Sequence, residues 1–146
     1  MKSRLVVLLF LPFGSFASAA ILNEWPQGTD PQTVGRRVVA QFLSTEPEAY
    51  APKGFGGESP AGGGKYVCYA VASLWVNALE FARVTDDSAL EKSLVGSLEP
   101  FLPNGRKSDR VTKPRHVDFN VFGAVPLEAA VLTGRADFLR LGLRYA

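Results

Sequence analysis

The 146-residue sequence predicts an all-α fold of repeated helical hairpins, arranged as a toroid or a solenoid. Apolar residues recur at helical spacing in successive segments that glycine, proline or Thr-Asp turns separate. Segment 66–84 is apolar around most of its circumference, which is typical of a helix buried on several sides. An internal repeat at an offset of 48 residues, as in stacked hairpins, pairs Glu80 with Glu128, Ala82 with Ala130, Val84 with Leu132, Thr85 with Thr133 and Leu90 with Phe138.

The first twenty residues have the pattern of a secretory signal peptide. Lys2 and Arg4 precede an apolar run over 5–13, and small residues lead to a cleavage site after Ala19 or Ala20. We therefore expect an exported protein, periplasmic or secreted, whose remaining residues 21–146 belong to one domain. The apolar run is shorter than the roughly 20 residues that a membrane helix needs, so no membrane span is expected.

The charge balance argues against a nucleic-acid-binding protein, and the single cysteine excludes a fold stabilised by an internal disulfide. Lys2 and Arg4 are two of the 16 basic residues, which leaves 14 basic and 14 acidic residues after cleavage. Nucleic-acid binding requires a clustered basic face, so this class is set aside. Cys68 has no partner for an internal disulfide, and its apolar neighbours favour a buried structural thiol over a nucleophile.

The first half of the domain predicts one surface helix followed by a long loop. Asp30 and Pro31 fit an N-cap and the first helical position, with Val34, Val38 and Phe42 on the inner face. Residues 46–65 contain six glycines and three prolines, which predicts an extended loop. This loop lacks the glycine and Ser/Thr spacing of a phosphate-binding loop.

The second half predicts two helical hairpins. Residues 85–87 break helix 66–84, and the helix that follows, 88–98, carries a leucine stripe. After a polar connector, Pro126 fits the first turn of a helix that ends before Gly134, and Ala136 begins the last helix.

The last helix has two apolar faces. One carries Phe138, Leu141 and Tyr145, and the other carries Leu139, Leu143 and Ala146. Because the preceding hairpins do not supply neighbours for both faces and no cap follows, we expect the sequence to be truncated at its C-terminus, or completed by another chain. This expectation leaves Leu139, Leu143 and Tyr145 exposed.

The candidate site is the polar cluster His116-x-Asp118-x-Asn120, which comes directly before a helix start. Side chains in this position can be directed from a rigid scaffold into a cavity. The alternative to a functional role is helix capping for Asp118. For His116 the alternative is a solvated or hydrogen-bonded histidine without a catalytic role. With one histidine in the chain, a histidine metal cluster is excluded.

Segment 118–128, DFNVFGAVPLE, followed by Leu132-Thr-Gly and a helix ending Gly-Leu-Arg-Tyr-Ala, resembles the unsaturated uronyl hydrolases of glycoside hydrolase families 88 and 105. The resemblance covers roughly residues 33–146 and includes Trp75-Val-Asn-Ala-Leu-Glu-Phe-Ala. It implies the N-terminal portion of an (α/α)6 toroid, in which inner helices surround a funnel for the sugar. It implies no cofactor and no metal.

The same resemblance implies the reaction and the residue roles. These enzymes hydrate the C4=C5 bond of the unsaturated uronic acid that lyases leave at the non-reducing end of oligosaccharides. Asp118 matches the first of two family aspartates, which orients the second and contacts the sugar. The second lies on a later helix that this sequence does not include, so we expect the chain alone to be inactive. His116 and Asn120 would contact the sugar, and Trp75 or Tyr66 would form an aromatic wall. For Trp75 a core position is the alternative.

Two alternatives stay open, one for the role of the connector and one for the function of the protein. Five basic residues of the connector would attract an anionic uronide, although scattered charges are usually solvated: Arg106, Lys107, Arg110, Lys113 and Arg115. The alternative function is a non-catalytic, exported helical-repeat module that binds a glycan or a protein.

Overall fold

The computed structural model describes residues 24–47, 67–111 and 120–146, and every regular element in these ranges is helical. The α-helices are α1 Pro31–Leu43, α2 Tyr69–Val84, α3 Ser88–Leu98, α4 Ala124–Thr133 and α5 Ala136–Leu143. Short 3-10 turns lie at Glu99–Phe101, Ser108–Arg110 and Val121–Gly123. No β-strand occurs in the described ranges, so the predicted all-α class is confirmed.

Helix α1 begins at the predicted cap. The Asp30 carboxylate accepts a hydrogen bond from the Thr33 backbone N–H at 2.8 Å, and Pro31 occupies the first helical position. Hydrogen bonds from Thr33 to the carboxylate hold the pKa of Asp30 below its ordinary value. The negative charge also lies at the positive end of the helix dipole, which stabilises the first turn.

The predicted inner face of α1 is wrong in two of its three residues. Val34 and Val38 are 40% and 47% exposed, whereas Val39 and Phe42 are buried. The reason is a close approach at Gly35, where an added Cβ would lie 2.3 Å from the Phe81 ring. This contact turns positions 35, 39 and 42 inward, so the valines one position earlier face outward.

Helix α2 is the central element and packs against α3, α4 and the turn at 121–123. It begins at Tyr69, three residues later than predicted. Its buried positions span a wide arc and include three alanines, which permit close approach of the neighbouring helices: Val71, Ala72, Trp75, Ala78, Leu79 and Ala82. Cys68 precedes the first turn and is half-buried, so the prediction of a buried thiol is corrected.

The turn from α2 to α3 connects three helices. Asp86 adopts a left-handed conformation, with φ 53°, that reverses the chain. Asp87 caps α3 by accepting a hydrogen bond from the Leu90 N–H at 3.1 Å. Its other carboxylate oxygen lies 2.7 Å from Arg36 Nη1 on α1. One side chain therefore caps α3 and ties it to α1.

Helices α4 and α5 form the second hairpin, with the boundary residues that the sequence predicts. Gly134 ends α4 in the left-handed conformation, with φ 69°, and its N–H donates to the Ala130 carbonyl at 2.8 Å. Pro126 lies in the first turn of α4, and Ala136 begins α5. Leu139 and Leu143 are 45% and 58% exposed, as expected.

The expected exposure of Tyr145 is wrong, because its ring is buried against the start of α4. A Cβ added at Gly123 would lie 2.5 Å from Tyr145 Cβ, so the missing side chain makes room for the tyrosine. Burial raises the pKa of the Tyr145 hydroxyl. The chain after α5 thus folds back onto the turn before α4.

A continuous row of aromatic rings runs through the core from α1 to the residues after α5. Neighbouring ring centroids lie 5.4–6.2 Å apart, and most pairs meet edge to face. We call this the aromatic row, and its members in order are Phe42, Trp75, Phe101, Phe122 and Tyr145. All five side chains are buried, so one core joins the two hairpins and α1.

Candidate functional site

Asn120 is the one residue of the predicted polar cluster that lies among the described residues. It is exposed and directly precedes the 3-10 turn Val121–Gly123 that leads into α4. Its amide carries donors and an acceptor that are available to a polar ligand. The turn is rigidly placed, because Phe122 belongs to the aromatic row and Gly123 supports Tyr145. Asn120 is therefore an exposed polar group on a fixed support.

His116, Asp118 and Tyr66 lie outside the described residues, and so does the predicted signal peptide. The residues that flank the site are nevertheless held in place. Val67, which follows Tyr66, is buried, and its N–H donates to the Arg110 carbonyl at 3.3 Å. This bond joins the entry to α2 with the connector that leads toward His116.

Trp75 is a core residue, which corrects the expectation that it forms part of a sugar-binding wall. It is 0% exposed, and rings of the aromatic row contact it on two sides. Its indole N–H donates to the Leu94 carbonyl at 3.2 Å and joins α2 to α3. A sugar stacks on an accessible aromatic face, and Trp75 offers none.

Lys107 is a feature that the sequence did not predict. It lies in the connector that was expected to be solvated, yet its side chain is buried. Its ammonium forms an ion pair with Glu46 and lies 5.5 Å from the centroid of the Phe101 ring. Burial, and then the nearby Arg110, lower the pKa of Lys107.

The Lys107 ion pair borders a cavity of about 240 Å³ between the end of α1 and the segment after α3. Ser44, Thr45 and Arg106 add polar groups to its lining. The Lys107 N–H also donates to the Pro100 carbonyl at 2.8 Å. The ion pair thus holds the end of α1 against the chain that leaves α3. No sequence pattern signals this contact, because Glu46 and Lys107 are distant in the chain.

Comparisons with protein-family models, curated proteins and solved structures find no match for this chain. The resemblance to unsaturated uronyl hydrolases stays a prediction from the sequence motifs. Its support must come from the arrangement of this chain's own residues.

The described residues were also compared with the requirements of a metal site and of a membrane-spanning helix. In the ranges 24–47, 67–111 and 120–146, no three His, Cys, Asp or Glu side chains are grouped as metal ligands. Among the same residues, no helix has both the length and the apolar character needed to cross a membrane.

Proposed function

We propose that this chain supplies helical hairpins of an (α/α) toroid that hydrolyses unsaturated uronides, with Asp118 as the first aspartate of a two-aspartate site, which contacts the sugar and orients the second. The observation that carries the proposal is the segment 118–128, whose polar part runs directly into the start of α4. Exposed Asn120 directly precedes the 3-10 turn that leads into α4, and α4 packs on the central helix α2. In the proposed toroid both helices line the funnel.

The two hairpins share a local hydrogen bond at equivalent positions, which supports a structural repeat. Thr85 Oγ1 at the end of α2 donates to the carbonyl four residues earlier, at 2.7 Å. Thr133 Oγ1 at the end of α4 makes the same bond at 2.6 Å. Because these residues are 48 positions apart, the bond falls on the repeat seen in the sequence.

The exposed apolar face of α5 also fits a larger ring. Leu139 and Leu143 point away from the core that buries Phe138 and Leu141. In a toroid a neighbouring hairpin covers such a face, because no single hairpin buries both of its apolar sides.

The proposed reaction begins with proton transfer to C4 of the unsaturated sugar from the second aspartate of the site, which Asp118 orients. Positive charge develops at C5 and the ring oxygen, and a water adds at C5 and returns a proton to that second carboxylate. The hemiketal then opens and releases the next sugar. His116 and Asn120 would bind the sugar hydroxyls or its carboxylate.

The test is turnover of an unsaturated uronyl disaccharide, followed by the loss of its vinyl-ether absorbance. The protein is assayed at full length. Asp118→Asn should lower kcat by about 10²–10⁴, because the general acid that contributes such a factor loses the group that orients it. Asp109→Asn, which changes an exposed carboxylate of the connector, should leave kcat unaltered. Normal turnover by Asp118→Asn would exclude this role.

The aromatic row favours a second candidate, an exported helical-repeat module that binds without chemistry. The row joins α1 to the residues after α5 in one buried core, which is what an independently folding module needs. Such a module should melt cooperatively and sediment as a monomer.

The toroid proposal expects residues 21–146 to self-associate through the α5 face. The double variant Leu139→Gln, Leu143→Gln should then restore monomers, whereas Val84→Gln, at an exposed position on α2, should not. A monodisperse wild-type chain with a cooperative melt favours the binding module.

A further inference from the structure

The outer side of α5 borders a second cavity, of about 470 Å³, whose other wall is the turn after α3. Arg140 and Arg144 lie on its helical wall, and Asn104 lies on the turn. The arginines are four residues apart, so both guanidinium groups project from the same side of α5. The volume falls within the range of pockets that hold small organic molecules.

The acidic group in this cavity is already engaged. Asp137 receives two hydrogen bonds from the Arg135 guanidinium, at 3.1 and 2.7 Å. Arg135 also binds Glu99 at 2.7 Å. Among the described residues neither Arg140 nor Arg144 has a carboxylate partner within 4 Å. Among the described residues, the two guanidinium groups of the cavity therefore make no direct ion pair with a carboxylate.

The cavity combines these charges with an apolar surface. Leu102, Pro103 and Leu141 line it beside the polar groups. Like charges four residues apart on a helix repel each other, and a bound anion removes this repulsion. Two guanidinium groups match the geometry of a carboxylate or phosphate, and the apolar wall suits a carbon skeleton.

We propose that this cavity binds a small oxyanion, with Arg140 and Arg144 as the groups that hold its charge. Asn104 adds amide donors, and the apolar wall favours an organic carboxylate over inorganic phosphate. The proposal does not depend on the proposed hydrolase activity.

The plain structural role of these arginines is stabilisation of α5, because cations near a helix C-terminus interact favourably with the helix dipole. That role predicts a change in melting temperature on substitution and no anion binding. The two roles therefore differ in a titration with ligand.

The experiment titrates the chain with glucuronate, inorganic phosphate and neutral glucose by calorimetry. We expect glucuronate to bind with Kd of about 1 mM or tighter, phosphate to bind more weakly and glucose not to bind. Arg140→Gln and Arg144→Gln should each raise Kd about tenfold, and added salt should weaken binding.

Arg37→Gln is the matched control, since Arg37 is an exposed arginine on α1 outside both cavities. It should leave Kd unchanged, and the melting temperature of every variant reports whether it folds. The proposal is overturned if neither anion binds, or if the control weakens binding as much as Arg144→Gln does. Equal binding of phosphate and glucuronate keeps the oxyanion site and removes the preference for an organic ligand.

Discussion

Single glycines and the ring of one tryptophan decide how the helices approach one another. At Gly123, the Tyr145 side chain and the Gly142 carbonyl occupy the space that a Cβ would fill. Gly96 on α3 has no neighbouring heavy atom within 4 Å of that position. The same substitution should therefore have opposite effects at the two sites.

Gly123→Ala is expected to lower the free energy of unfolding by about 1–3 kcal/mol, because overpacking displaces Tyr145 or the α4 start. Gly96→Ala is the matched change and should raise it by about 0.5–1 kcal/mol, since alanine favours a helix interior. Urea denaturation measures both values. A stabilising effect at Gly123 would contradict the close approach to Tyr145.

The Trp75 side chain contributes packing and one hydrogen bond to the core. Trp75→Phe removes the donor to the Leu94 carbonyl and part of the ring volume, and should cost about 1–3 kcal/mol of stability. Trp25→Phe changes a half-exposed ring and should cost less than about 0.5 kcal/mol. Thermal melting compares the two. If Trp75→Phe leaves stability unchanged and impairs glycan binding, Trp75 is a ligand residue after all.

At the scale of the helices, caps and turns could be predicted from the sequence, and the inward face of α1 could not. Asp30, Pro31 and Gly134 act within a few residues of their own position, so local patterns identify them. The inward face of α1 depends on Phe81, which is distant from Gly35 in the chain. The burial of Lys107 depends likewise on Glu46 and Phe101.

Two substitutions at Asp87 should separate the contribution of the α3 cap from that of the ion pair with Arg36. Asp87→Ala removes both the hydrogen bond to Leu90 and the ion pair with Arg36, for an expected loss of about 1–2 kcal/mol. Asp87→Asn keeps a good capping side chain and should lose less than about 1 kcal/mol. Equal losses in chemical denaturation would show that the cap contributes nothing.

The start of α5 predicts an acid-dependent stability. Hydrogen bonds from Arg135 hold the pKa of Asp137 below its ordinary value, and the same pairing raises the pKa of Arg135. As pH falls, Asp137 is therefore protonated in the unfolded chain before it is protonated in the folded chain. The stabilisation of the folded state by the Arg135–Asp137 pair is complete above the ordinary aspartate pKa, and it is lost as pH falls through the lowered pKa of the folded state.

Asp137→Asn should flatten the fall in melting temperature below about pH 4, where unfolded aspartate is protonated. Asp109→Asn, at an exposed connector position, is the control and should keep the wild-type slope. An identical acid response in wild type and Asp137→Asn would argue against the pairing.

At the scale of the whole molecule, the sequence predicts helical hairpins, and the long-range packing that joins them comes from the structure. The aromatic row connects residues from Phe42 to Tyr145, and no local pattern pairs such distant rings. For Tyr145 the helical spacing predicts an apolar contact, but the sequence does not identify Gly123 as the residue that it contacts. Of the candidate site, Asn120 is exposed, and its predicted contact with the sugar stays a prediction.

The hydration mechanism makes a prediction that ordinary glycoside hydrolysis does not share. In D2O the proton-donating carboxyl that Asp118 is proposed to orient exchanges its proton, so the first step should place one deuterium at C4 of the uronic acid. Ordinary hydrolysis cleaves the glycosidic bond and leaves the C4=C5 bond and its hydrogen untouched.

The most direct measurement is therefore NMR of the first product formed in D2O by the full-length protein. The proposed hydration predicts a single deuterium at C4, produced by the wild type and by Asp109→Asn and abolished with turnover in Asp118→Asn. Release of an unsaturated uronic acid without deuterium at C4, or unchanged label formation by Asp118→Asn, would contradict it.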